Sequence, residues 1–175
     1  MDFRKAKYED IPRMLEVFDH AKKFMESYGN TTQWSTADRP REELLRRDIE
    51  RDSSYVCEID GRIVGCFVYI YGDDPEPGYA KERIIEGGWK DESPYAVVHR
   101  LASDQSAKGI GIGILEWCYE KSGGHVRVDT HPNNKPMQNI MKKLGYSYCG
   151  KIAVSVDDKV RLIYEKSEVA AAKAL

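Results

Sequence analysis

No apolar run in this sequence of 175 residues reaches the roughly 20 consecutive residues that a membrane-spanning helix needs. An excess of one charge is missing too. The 27 basic and 29 acidic residues leave a net charge of −2, which gives no general attraction to nucleic acid or to an anionic membrane. Cysteine is sparse and poorly spaced for metal or for a disulfide framework. Cys57, Cys66, Cys118 and Cys149 form no C-x-x-C pair, and three of them fall in apolar strand or helix patterns. Buried, reduced thiols and no metal are therefore expected. A secretory leader is absent from the reading, because Met1-Asp2-Phe3-Arg4-Lys5 runs straight into patterned sequence, and a cytoplasmic protein is expected. Repeats, linkers and low-complexity tracts are also lacking. What remains is a globular composition, 41% hydrophobic and 32% charged, of a length that suits one domain. We place that domain at residues 1–166, with 167–175 as a small, Ala-rich, frayed tail.

Along the chain, Phe3 to Lys7 alternates as a short strand, and Asp10 is placed to cap a helix with Pro12 in its first turn. Ile11, Met14, Leu15, Phe18, Ala21, Met25 and Tyr28 recur at helical spacing, and Gly29 suits the helix end. Asn30 to Ser35 is a loop carrying Trp34, and Pro40 to Glu50 is a second helix. Ser54–Ile59 and Arg62–Tyr71 flank Asp60-Gly61, a strong hairpin signal. Gly72 to Pro94 is long and polar without a period, with seven acidic and three basic residues and both Tyr79 and Trp89. Tyr95 to Ala102 reads as a buried strand, about Gly109 to Lys121 as a helix, and His125 to Thr130 as a strand, which together imply a parallel βαβ pair. Asn134 can cap a helix from Pro136 to Leu144, and a last hairpin, Tyr146–Val154 with Val160–Glu165, turns at Asp157-Asp158. Periodicity alone gives an α/β fold with one parallel pair.

Between the buried strand and the following helix lies Ser106-Ala107-Lys108-Gly109-Ile110-Gly111-Ile112-Gly113. Glycines here let the backbone approach a ligand and reach unusual dihedrals. The unpaired N–H groups at the head of a helix, with its dipole, then form an anion site suited to phosphate or pyrophosphate. A nucleotide P-loop is ruled out because no Lys-Ser or Lys-Thr follows the glycines, and the G-x-G-x-G spacing departs from a dinucleotide fingerprint. A ligand-free glycine turn is the other possibility.

The run Lys108-Gly109-Ile110-Gly111, with Leu115 following, resembles the acetyl-CoA signature [RQ]-x-x-G-x-[GA] of the GNAT acyltransferases. A second block, Asp129-Thr130-His131-Pro132-Asn133-Asn134-Lys135-Pro136-Met137 ending in Lys143-Leu144-Gly145-Tyr146, is similar to that superfamily's next motif. The resemblance spans residue 3 to about 166. It departs in two places: Ser106 stands where the signature opens with Arg or Gln, and Met141 stands where a Tyr often serves as general acid, seven residues after the Asn. The first matters little, because backbone amides do most of the phosphate binding. The second removes the family's usual proton donor.

The resemblance implies a GNAT-like mixed, twisted sheet with helices on both faces and a splayed central parallel strand pair. It implies acetyl-CoA as cosubstrate, bound by the backbone of Leu101-Ala102-Ser103, by the stretch Ser106 to Gly113, and by Asn134 and Met137. It implies acetyl transfer in a ternary complex to a primary amine on a small molecule or peptide, by a monomer or homodimer. A non-catalytic acyl-CoA sensor, and transfer to oxygen or of another acyl group, are the alternatives. Such chemistry needs a neutral amine, although a Lys-type amine has a pKa of ~10.4, and it needs donors for the thioester oxyanion. Asp129 is the first candidate for the base, with His131 and His99 as rivals, since His titrates near neutrality. Each also has a structural reading, Asp129 as a salt-bridged strand residue and the histidines as hydrogen-bonded ones. Cys149, Tyr146 and Tyr164 are possible acids, each with a core reading, and a proton from water or a thiolate leaving without direct help are the other routes. Trp34 and Trp89 could wall the acceptor site or simply anchor their loops.

Overall fold

The computed structural model describes residues 1–31, 33–34, 40–72, 79, 83–153 and 160–172. These residues form a mixed α/β fold with, among them, eight strands in the order β1-β2-β3-β5-β6-β8-β7-β4, antiparallel except for β5 and β6, and five α-helices. The elements are β1 (Asp2–Lys5), α1 (Ile11–Ser27), α2 (Glu42–Glu50), β2 (Ser54–Ile59), β3 (Arg62–Tyr71), β4 (Ile84–Gly87), β5 (Ala96–Ser103), α3 (Ile110–Lys121), β6 (Val126–Thr130), α4 (Lys135–Lys143), β7 (Ser147–Ala153), β8 (Val160–Lys166) and α5 (Glu168–Ala172). Two of these are additions to the sequence reading: β4 lies inside the segment read as a loop, and α5 inside the tail read as frayed. The turn at Asp157-Asp158, the acidic stretch 73–78, Ser35 and residues 173–175 lie outside the described residues. All four cysteines are buried and reduced, as composition led us to expect. Among the described residues no helix is long and apolar enough to cross a membrane.

The chain divides into two compact units. The first comprises Met1–Tyr69 and His99–Leu115. Here α1 buries Ile11, Met14, Val17, Phe18, Ala21 and Met25, the stripe that its 3.6-residue period places on one side. At about 1.5–3 kcal/mol for each large apolar side chain, this stripe holds the helix in place. It packs with Leu45 of α2, Val56 and Cys66, and Trp34 meets Phe18 edge to face at 5.2 Å between ring centres. Asp10 does not cap α1 as its position suggested. Its carboxylate instead accepts from Lys7 N at 2.8 Å, closing a short 3-10 turn over Tyr8–Asp10, and takes both Nη atoms of Arg4. The Asp60-Gly61 turn has φ 52 and 74, the left-handed pair that a two-residue hairpin of this twist requires.

The second unit comprises Ile70–Val98 and Glu116–Leu175. Its parallel ladder pairs Ala96, Val97 and Val98 with Val126, Arg127 and Val128, and ends there. On its other side β6 pairs with β8, then β8 with β7 and β7 with β4. Strand β4 and strand β7 meet through Gly87 (φ +71) and Gly150 (φ +133). A Cβ on Gly87 would stand 2.1 Å from the Cys149 carbonyl oxygen, and one on Gly150 would stand 1.9 Å from that of Glu86, so only glycine fits either position. The core gathers Tyr79, Val97, Cys149, Ile152 and Ile163.

Candidate active site

Within the first unit, β5 leads through Asp104 into the glycine stretch. Gln105 to Gly109 is exposed, and the chain passes through left-handed φ at Gln105 (62) and Gly109 (85) before α3 begins at Ile110. The first helical bond runs from Gly113 N to the Gly109 carbonyl at 2.9 Å. The N–H groups of Ile110, Gly111 and Ile112 therefore head the helix with no acceptor inside it, which is the arrangement an anionic phosphate fits. Ser106 takes a different part. Its N–H, at 3.0 Å, and its hydroxyl both donate to Asp104 Oδ1, so it closes the turn from behind. Asp104 is nearly fully buried and is also paired with Arg13 and Arg62. Burial alone would raise its carboxyl, but the Ser106 donors and the Arg13 guanidinium prevail and hold it below the usual range. At Gly113 a Cβ would lie 2.8 Å from Sδ of the flexible, exposed Met1 side chain. Ala107 and Lys108 form the exposed tip of the turn, and Ile110 is buried.

Upstream on β5, His99 and Leu101 are half-buried and Ala102 is buried. The Ser103 hydroxyl accepts from Gln105 Nε2 at 2.7 Å. Between His99 and Leu101 the strand contains an anomaly. Arg100 has φ 51, a left-handed conformation that costs a residue with a Cβ about 1–2 kcal/mol. Its Nε and Nη2 each donate at 2.9 Å to the two oxygens of Asp48, a buried carboxylate on α2.

The second unit holds Asp129 on β6. The Tyr79 hydroxyl donates to its Oδ1 at 2.8 Å, and Arg161 Nε stands 3.8 Å from its Oδ2. Tyr79 itself is buried and supported from below. Trp89 Nε1 donates to the Tyr79 carbonyl at 3.3 Å, and the two rings lie 5.2 Å apart. Trp89 is thus an anchor for its segment, with the Arg127 guanidinium 4.4 Å from its ring centre. Trp34 anchors likewise, against the core of the first unit. Asn134 caps α4 by accepting from Met137 N at 3.2 Å. His131 structures the same turn: its Nδ1 accepts from Asn133 N at 3.1 Å and its carbonyl from Asn134 N at 2.9 Å.

All three acid candidates hold their protons more tightly than usual. Met141 is fully buried in the core. Burial, reinforced by Glu165, pushes the Cys149 thiol up to about 12. Burial also raises the hydroxyls of Tyr146 and Tyr164 above their usual range.

Sequence reasoning noticed Tyr79 only as one of two aromatics in a long segment, and it missed Glu165 altogether. Glu165 is fully buried on β8. It accepts from Lys90 N at 2.8 Å, Asp91 N at 3.3 Å and Arg127 Nε at 2.8 Å, with His125 Nε2 at 2.9 Å. This network fixes the segment that carries Trp89, and through it Tyr79 and Asp129. Its only sequence signal is an acidic residue at an inward position of an apolar strand.

The glycine turn at the head of α3 is followed by β6, parallel to β5, and by α4, capped by Asn134. A profile of the acetyltransferase (GNAT) family matches residues 16–146, and the chain belongs to that family. Acyl transfer is accordingly its chemical class. Among solved structures it is similar to a GNAT-family acetyltransferase from Streptococcus agalactiae, with 29% identity, 95% of each chain covered and a TM-score of 0.83. It shares its fold with the PaiA N-acetyltransferase of Thermoplasma acidophilum, solved with coenzyme A (17% identity, 95% of this chain and 98% of that one, TM-score 0.63). The same fold appears in a ribosomal-protein-alanine N-acetyltransferase from Brucella melitensis (16% identity, 95% and 99% covered, TM-score 0.59). No curated protein sequence matches the chain.

Proposed function

We propose that the protein is an acetyl-CoA-dependent N-acetyltransferase that passes the acetyl group directly to a primary amine of a small molecule or peptide. The observation that carries this reading is the head of α3, where Ile110, Gly111 and Ile112 present three first-turn amides behind an exposed turn in a chain of this family. These amides would hold the pyrophosphate of CoA, with Lys108 beside them. The backbone N–H groups of Leu101 to Ser103 would stabilise the thioester oxyanion. Asp129 would take the proton that the amine loses as its nitrogen bonds to the acetyl carbon and the C–S bond breaks. The Tyr79 bond at 2.8 Å fixes one oxygen of this carboxylate and supports it in a single orientation. Positioning of donor and acceptor supplies much of the rate. With Met141 in the core, the thiolate leaves unaided or takes its proton from water. The reading takes the protein as cytoplasmic, which its buried thiols suit.

A second reading, a non-catalytic acyl-CoA sensor, draws on that same buried Met141. Thermal denaturation tests the ligand that both readings share. Acetyl-CoA should raise the melting temperature, because it binds only the folded state, while ATP and NAD leave it unchanged. A shift with ATP or NAD and none with acetyl-CoA would reject the donor.

A further inference from the structure

Arg100 holds a backbone conformation that its own chemistry does not favour. It is neither Gly nor Asn nor Asp, yet its φ is 51 in the middle of β5. A non-glycine residue stays in the left-handed region only where its surroundings over-determine it, and such residues gather at functional sites. The surrounding group here is Asp48 of α2. It is 2% exposed, and its two oxygens accept at 2.9 Å each from Nε and Nη2 of the guanidinium. A planar fork against a carboxylate fixes both distance and orientation, more than a point charge would. The kink stands immediately before Leu101. In a regular strand successive N–H groups alternate in direction. A left-handed residue breaks that alternation and resets the direction of the next peptide plane, that of the Leu101 N–H.

We infer that Asp48 is a positioning residue for acyl transfer: by gripping the Arg100 guanidinium it holds the left-handed kink of β5 and aims the backbone N–H groups of Leu101 to Ser103. Asp48 touches no reacting atom; it acts through Arg100. The inference rests on the acyl-transfer reading above.

Four proteins test it: the wild type, Asp48→Asn, Asp48→Asn with Arg100→Gly, and Asp48→Asn with Arg100→Ala. The amide of Asp48→Asn keeps the shape but turns an NH2 toward the guanidinium, so one arm of the fork is lost. With circular dichroism confirming that each variant is folded at the assay temperature, kcat of Asp48→Asn should fall at least about tenfold, short of the ~10²–10³-fold loss of a whole oxyanion donor. KM for acetyl-CoA should change by a smaller factor than kcat, because the pyrophosphate site at the head of α3 is untouched while only the contacts along Leu101 to Ser103 are disturbed. Adding Arg100→Gly should restore most of kcat, since glycine adopts the kink without a Cβ penalty, and Arg100→Ala should not. A merely structural ion pair would lower the melting temperature without this difference between glycine and alanine. Should Asp48→Asn fail to fold, the two double variants, which leave no buried charge unpaired, carry the test by themselves. Wild-type kcat in folded Asp48→Asn, or equal kcat in the two double variants, overturns the inference. If the wild type releases no CoA from acetyl-CoA with any amine, the acyl-transfer reading fails and takes this one with it. Wild-type turnover matched by every variant removes this inference alone.

Discussion

Glu165→Gln is the perturbation whose size the structure best defines. The carboxylate is fully buried and surrounded by donors: Lys90 N and Asp91 N face Oε2, while His125 Nε2 and Arg127 Nε face Oε1. A glutamine has only one acceptor oxygen, so whichever way the amide turns, its NH2 confronts N–H groups. The Arg127 guanidinium also loses its buried counter-charge. Breaking a buried pair from one side costs about 3–5 kcal/mol. Urea unfolding at pH 7, with a slope of about 1–3 kcal/mol/M, should therefore show the midpoint falling by at least about 1 M. The effect has a defined pH dependence. Burial alone would raise the Glu165 carboxyl, but the bonds from His125, Lys90 N and Arg127 outweigh it and hold it below the usual range. A lowered carboxyl contributes stability that is present above the unfolded pKa of ~4.3 and is lost as pH falls through the folded value. The gap between wild type and variant should accordingly narrow on acidification below that range. A loss under about 1 kcal/mol at pH 7 with an unchanged slope would refute the reasoning.

Three further outcomes concern the proposed chemistry. Asp129→Asn should lower turnover by roughly 10²–10⁴-fold at neutral pH with CoA affinity unchanged, and the deficit should shrink as pH rises and free amine becomes plentiful; near-wild-type turnover would reject Asp129 as base and direct attention to His131, then His99. Tyr79→Phe removes the bond to Asp129 Oδ1 and should lower kcat with little change in KM for acetyl-CoA; a pH–rate profile superimposable on that of the wild type would dismiss this role. Gly111→Asp puts a carboxylate in the first turn of α3, and calorimetry should show CoA affinity reduced at least about tenfold, or ~1.4 kcal/mol, in a folded protein.

Local chemistry made much of this molecule legible. Asp60-Gly61 specified its hairpin because few dipeptides accept two left-handed residues, and Asn134 announced its cap because its side chain mimics a backbone acceptor. The parallel pair followed from strand, helix and strand at short spacing. Features built on distant residues were not legible. Strand β4 is only four residues long, and it pairs with β7 across some sixty residues through Gly87 and Gly150, a close approach that neither segment announces by itself. Tyr79 reaches Asp129 over a separation of 50 residues. Arg100 gives no local sign of a left-handed backbone, because the cause is Asp48, on another element. The candidate site follows the same division: the glycine turn and the Asn cap are local, whereas the partners of Asp129 and Arg100 exist only after folding.

The central claim is acetyl transfer from acetyl-CoA to an amine, and the most direct measurement is steady-state release of CoA thiol from acetyl-CoA over a panel of primary amines and amino-terminal peptides. The account predicts release that depends on the amine, saturates with acetyl-CoA, and falls in Gly111→Asp. Acetyl-CoA binding without amine-dependent release for any acceptor would contradict it and leave the sensor reading in its place.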